Sequence, residues 1–265
     1  MKLYISADIE GIAGITHWHE ADKSRADYAE FRAEMTAEVL AACRGAEAAG
    51  VNEIWIKDAH GSGRNILTEQ LPASSRIVRG WSGHPLDMVQ QLDESFDAVM
   101  MIGYHARAGS DANPLAHTLT LDVRHILIND EPMSEFRLHA NVAALLGVPV
   151  VFVSGDAGIC EEVTATNPNI GCAEITQGYG PSSVSIAPCE ARLLIEAGAK
   201  RAMVSELQSC LIPVADQFKV EIHYNKATSA YPASFYPGAG QSGAHTISFE
   251  TDDYFEVMRL IKFTT

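Results

Sequence analysis

The chain has 265 residues, 47% of them apolar and 20% charged, which is ordinary for a globular enzyme with a buried core. Its 34 acidic and 19 basic side chains leave a formal charge of −15, which argues against nucleic acid or an anionic membrane as the main partner. Acidic surplus does not argue against metal ions, which clustered carboxylates attract.

The first expected element is a strand over Lys2 to Ala7. Asp8 and Glu10 interrupt the apolar run after it, so it does not read as a secretory peptide, and a cytoplasmic protein is expected. No stretch approaches the roughly 18 apolar residues of a membrane span. Arg25 to Ala49 carries apolar residues every third or fourth position and stops at Gly50, the pattern of a helix. Short Ile-, Val-, Met- or Phe-rich runs then predict strands at Glu53 to Lys57, Ala98 to Gly103 and Pro149 to Ser154. Between them His84 to Asp93 and Ser134 to Leu146 are expected to be helical.

Strands alternating with helices predict an α/β fold, a mostly parallel sheet flanked by helices in a Rossmann-like three-layer arrangement. Leu119 to Ile128 reads as an edge strand or as half of a hairpin turning at Asn129-Asp130. Pro188 to Leu207 reads as a helix with proline in its first turn. Strands are expected at Phe218 to His223 and Thr246 to Glu250, with a Gly- and Pro-rich loop, Tyr231 to Gly243, between them. The organisation expected is a catalytic unit over residues 1–207 and a smaller α+β lobe over 208–265, either separate or integral to the same unit. Five widely spaced cysteines without a C-x-x-C predict neither a disulfide framework nor a thiolate metal site. Cys160 and Cys172 could in principle pair, and a reducing cytoplasm disfavours it.

The residues just past each strand carry the chemistry. The four strands run into Asp8-Ile9-Glu10-Gly11, Asp58-Ala59-His60-Gly61, Tyr104-His105-Ala106 and Gly155-Asp156. In a parallel sheet these ends share one edge, where ligands bind. Asp8, Glu10, Asp58, His60, His105 and Asp156 should therefore converge, and carboxylates with imidazoles suit zinc. Asp8 and Glu10, two apart in an extended segment, point to one side and can serve one dinuclear centre.

The blocks ISADIEGIAGI (Ile5 to Ile15), KDAHG (Lys57 to Gly61), GYHARA (Gly103 to Ala108), IND (Ile128 to Asp130) and SGD (Ser154 to Asp156) resemble the signature of the D-aminopeptidase family, peptidase family M55. The resemblance covers most of the chain and fades over about the last 60 residues. It implies a zinc-dependent aminopeptidase acting on short, D-residue-containing peptides through water activated by two zinc ions per subunit. Matching the family's motifs, the metal ligands would be Asp8, Glu10, His60, His105 and Glu135, with Asp8 bridging and His117 acting in catalysis. It also implies a large homo-oligomer with an enclosed chamber, a decamer being one candidate size.

On residues alone Glu135 reads as a helix-dipole feature and His117 as an exposed loop histidine; the resemblance reverses both. His139 shares a helix face with Glu135 and is expected to pack or support it. Asp58 is a candidate to orient His60, and Asp156 to orient a ligand or cap a loop. Arg107 reads equally as a peptide-carboxylate anchor or as a surface ion-pair partner. Another dinuclear amide or phosphoester hydrolase is the alternative activity, and a non-catalytic metal-binding module a third.

Overall fold

Leu3 to Ala7 is buried at every position, and a strand with no wet side must lie inside a sheet covered on both faces. In the computed structural model, which describes residues 1–265, that strand, β1 (Lys2–Ala7), is central. After it come a single helical turn, α1 (Trp18–Ala21), and the long helix α2 (Tyr28–Ala48). Next are β2 (Glu53–Asp58), β3 (Ser75–Val78) and β4 (Ala98–Tyr104), then a hairpin of β5 (Val123–Ile128) and β6 (Glu131–Pro132). The chain continues through α3 (Glu135–Leu145), β7 (Val150–Asp156), α4 (Ala157–Thr166), β8 (Gly171–Tyr179), β9 (Ser182–Ser185) and α5 (Pro188–Val204). It ends with β10 (Phe218–Tyr224), α6 (Ala227–Ala233), β11 (Gly240–Gly243), β12 (Thr246–Thr251) and α7 (Tyr254–Thr264).

Seven strands form one sheet in the order β3-β2-β1-β4-β7-β8-β9, all parallel except the last pair. Ala7 stands opposite both Asp58 and Ile102, so the carboxyl ends of β1, β2 and β4 coincide. Helices α2 and α5 pack on each other and on this sheet, while α3 packs on β4 and β7 and meets α7. The second sheet is antiparallel, in the order β11-β12-β10-β5-β6. One hydrophobic cluster contains Ile5 and Val153 of the first sheet together with Val220 and Ile247 of the second. The C-terminal strands thus share a sheet with residues 123–132, and a lobe confined to residues 208–265 omits two of its five strands.

The parallel sheet and its helices agree with the sequence. Several local expectations need correction. His84 to Asp93 is not a helix: only Asp87–Val89 makes a 3-10 turn, because Asp87 (φ 43°) and Gln91 (φ 73°) are left-handed. Of the two readings of Leu119 to Ile128 the hairpin holds and the edge strand does not: β5 lies between β10 and β6, and Asn129-Asp130, both at positive φ, close the turn. The segment Tyr231 to Gly243 is not one loop, since α6 and β11 occupy parts of it. Cys160 and Cys172 are paired in space, against expectation: the return from α4 to β8 brings their Cα atoms to 5.9 Å, within bridging range.

Candidate metal centre

The loop after β1 is laid against the end of β4 by backbone contacts. Asp8 N–H donates to Ile102 O (2.8 Å) and Gly11 N–H to Gly103 O (2.9 Å). A Cβ on Gly11 would stand 1.8 Å from Tyr104 O, so only glycine allows this approach. Ala13 N–H donates to the buried Glu38 of α2 (2.8 Å), bracing the loop from behind. Asn113 Nδ2 donates both to Glu10 O and to Asp156 Oδ2, each at 2.9 Å.

Each imidazole at the sheet edge has one ring nitrogen fixed on a backbone carbonyl, which can only accept. His60 donates from Nε2 to Ala21 O (2.9 Å), His105 from Nδ1 to Ala106 O (3.0 Å), and His117 from Nδ1 to Leu115 O (2.9 Å). The other nitrogen of each then presents a lone pair when the ring is neutral. Glu135 begins α3 next to the capping Ser134, and its Oε1 accepts from Leu119 N–H (2.6 Å). Leu119 has φ 64° and lies inside a tight turn closed by Thr120 N–H to Thr118 O (2.7 Å). That strained backbone carries His117 towards the cluster.

The free nitrogens and the carboxylates converge. His60 Nδ1 lies 3.4 Å from Asp8 Oδ1 and 3.1 Å from Glu10 Oε1. His105 Nε2 lies 3.5 Å from Asp8 Oδ2 and 3.3 Å from Glu135 Oε2. His117 Nε2 is 3.7 Å from Glu135 Oε1, and its ring stacks on His105 with centroids 4.4 Å apart. Asp8, Glu10, His105 and Glu135 are all buried.

Burial alone would lower the pKa of His60 and His105, yet the adjacent carboxylates outweigh it and hold both well above the ordinary imidazole value. Burial pushes Asp8 the other way, and the two imidazoles overcome it, holding its carboxyl well below the usual range. The cluster therefore demands positive charge at its centre. Glu10 Oε2 and His105 Nε2 are buried without any hydrogen-bond partner, as expected of atoms kept for a cation. Hard carboxylate oxygens with imidazole nitrogens fit a divalent metal, zinc included.

The remaining sequence candidates lie around the centre rather than in it. Asp58 does not orient the His60 ring, which Ala21 holds; it accepts from Asn65 N–H (2.5 Å), Asn65 Nδ2 (2.6 Å) and Ile66 N–H (2.8 Å), shaping the turn that presents His60. Asp156 caps α4 at Ile159 N–H (2.8 Å) and accepts from Ala106 N–H (2.7 Å), which fixes the strand end bearing His105. Arg107 turns back to Ala108 O (3.1 Å) and does not line the cleft. His139 donates from Nδ1 to Glu135 O (2.7 Å), supporting the first turn of α3. Sequence reasoning missed Asn113 and Glu38, and it missed the wall formed by Trp81, Asp87 and Lys262. None of these stands at the end of a predicted strand.

The centre opens into a cleft of about 480 Å³, within the range of small-ligand sites. A parallel sheet that gathers buried carboxylates and imidazoles at its C-terminal edge, beneath such a cleft, belongs to the metal-binding hydrolases in architecture and donor set. Within that class the chain is a member of the D-aminopeptidase family of peptidases, M55, whose sequence profile matches residues 1–263. A D-aminopeptidase of Bacillus subtilis (strain 168) is 32% identical over 268 residues, covering 100% of this chain and 97% of its own length. The solved structure of the Zn-dependent D-aminopeptidase DppA from Bacillus subtilis, a self-compartmentalizing protease, matches with a TM-score of 0.94 at 28% identity. That match covers 100% of this chain and 96% of the other.

Proposed function

We propose that the chain is a zinc-dependent aminopeptidase that removes an N-terminal residue, D-configured, from short peptides, with two zinc ions per subunit. The observation that carries this reading is the division of Asp8. Its Oδ1 faces His60, which also meets Glu10, while its Oδ2 faces His105, which also meets Glu135. Two half-sites sharing one carboxylate would offer ligands for two ions, with Asp8 common to both sets. Bound there, zinc supplies Lewis acidity, polarising a carbonyl and acidifying a water.

The chain's own residues position the reactants. The buried floor keeps bulk water from the ligands, and the carbonyls of Ala21, Ala106 and Leu115 fix each ring's orientation. His117, partly exposed with Nε2 facing the cluster, would carry a proton to the leaving amine or steady the developing oxyanion. The cleft has a single cationic side chain besides the histidines, Lys262, against the several donors a phosphoester would need. That favours a peptide substrate.

The test is hydrolysis of matched D-alanine and L-alanine amides by zinc-loaded protein, with Glu10→Ala as control. D-amide turnover lost in the variant is expected. Full activity after chelation, with metal loss verified, sinks the zinc reading; L-amide turnover alone removes only the D-specificity.

Two coarser properties belong to the same proposal. A homo-oligomer is the assembly inferred, by analogy with the self-compartmentalizing relative, with a decamer as the candidate size that the family resemblance implies. A cytoplasmic setting is inferred as well; no helix is long and apolar enough to cross a membrane. A reducing compartment would hold the Cys160–Cys172 bridge open. Alkylation before lysis, read by mass spectrometry, decides: all five cysteines modified supports the cytoplasm, whereas only Cys43, Cys189 and Cys210 modified argues against it.

A further inference from the structure

The metal cluster occupies one part of the cleft, and another part is built from distant pieces of the chain. Trp81, Asp87 and Lys262 line the same cavity as Asp8, Glu10 and Glu135. Lys262 comes from the last turn of α7 and donates to Asp87 Oδ1 at 2.8 Å. Asp87 holds that position with φ 43°, a conformation costly for a residue with a Cβ. The Lys262 ammonium also stands 5.6 Å from the ring of Trp81. That ring is fixed by Nε1–H to Gly61 O (2.8 Å) and by the buried Lys57, whose ammonium lies 3.7 Å from its centre.

An ammonium has three donors, and Lys262 uses one of them within the protein. The other two belong to the only lysine or arginine lining a cleft that also carries Asp8, Glu10, Asp87 and Glu135. A chain of charge −15 repels anionic ligands at long range, so an anionic group on a substrate needs a local cation to be retained. Every short peptide carries one such group, its terminal carboxylate. A cavity of about 480 Å³ is of the size that takes a small ligand such as a di- or tripeptide.

We infer that Lys262, held by Asp87 and Trp81, is the subsite for the terminal carboxylate of a di- or tripeptide whose amino end lies at the metal cluster. The inference rests on the aminopeptidase reading and deepens it: Lys262 selects peptides by length, because only a short one reaches both ends.

The experiment compares D-alanyl-glycine with D-alanyl-glycinamide on zinc-loaded wild type, Lys262→Met and Lys262→Arg. Wild type is expected to favour the free acid by roughly 10- to 100-fold in kcat/KM, mostly through KM, as befits a charge-assisted hydrogen bond. Lys262→Met should bring that ratio near one, and Lys262→Arg should keep most of it. The same ratio is read without turnover from tryptophan fluorescence as each peptide binds metal-free protein, since Trp18 and Trp81 line the cleft. A wild-type ratio near one, or a ratio unmoved in Lys262→Met, overturns the carboxylate subsite; a purely structural Lys262–Asp87 pair would lower both substrates together. D-alanyl-aspartic acid α-amide, whose only carboxylate is on the side chain, gaining over the glycinamide as the free acid does, would make the ligand a side-chain carboxylate and overturn the terminal assignment. No turnover of any peptide sinks the aminopeptidase reading, and the binding ratio then still decides the subsite.

Discussion

His117 differs from its neighbours in what it has free. His60 and His105 each face two carboxylates, whereas His117 Nε2 faces one, at 3.7 Å, and the ring is partly exposed to the cleft. A group that exchanges protons with reactants must be reachable, and one that only holds a metal need not be. His117→Ala is therefore expected to lower kcat by roughly 10²- to 10⁴-fold while zinc content stays at the wild-type level. Glu10→Ala, by contrast, should lose metal and activity together. Zinc analysis alongside single-substrate kinetics separates the two; metal loss in His117→Ala would make it a ligand instead.

At the scale of elements, the loop after β1 is held by a helix that carries no metal ligand. Glu38 of α2 is fully buried and accepts from Ala13 N–H, while its other oxygen has no partner. Burial, aided by the charge of Glu34 and only partly opposed by the Ala13 N–H and Arg192, pushes its pKa up to about 8. The folded state then keeps a proton that the unfolded chain releases near the ordinary value of about 4.3. Stability from this group is fully present below that ordinary value and is lost as pH rises towards 8. Glu38→Gln keeps an acceptor for Ala13 and cannot ionise. It should match wild type near pH 4 and exceed it at pH 8 by about 1–3 kcal/mol, or several degrees in Tm. Melting curves at fixed zinc across that range check this; a constant difference between the two proteins would refute it.

The same elements explain what the sequence could and could not tell. Strands β1, β2, β4 and β7 were legible because runs buried on both faces are largely apolar, and their ends named Asp8, Glu10, His60 and His105. Strand β3 was not legible, being four half-buried residues at the sheet edge, and neither was β8, whose Glu, Thr, Gln and Gly positions dilute the apolar signal. Glu135 and His117 sit on a helix start and a strained loop, where pattern favours a bland reading, and only the family motifs marked them. Asp87 and Lys262 are 175 residues apart and meet only because α7 folds back over the cleft, which periodicity cannot report.

Across the whole molecule, apolar surface remains that one subunit does not cover. Phe235 is 70% exposed and Tyr231 61%, and their rings meet edge to face at 5.2 Å, a paired patch at the end of α6. Leu121, 58% exposed, borders the cleft itself. Paired exposed aromatics are what protein interfaces consume, since they bury large area with few rotamers to freeze. A shell of subunits around the active sites would admit only short peptides. Light scattering on purified protein should therefore give a multiple of the 28.6 kDa subunit, ten-fold for a decamer. Phe235→Glu, which sets a charge in that patch, should shift the mass to smaller species while single subunits keep their circular dichroism. A monomeric wild type would remove the oligomer from the proposal, and an unaltered mass in Phe235→Glu would move the interface away from α6.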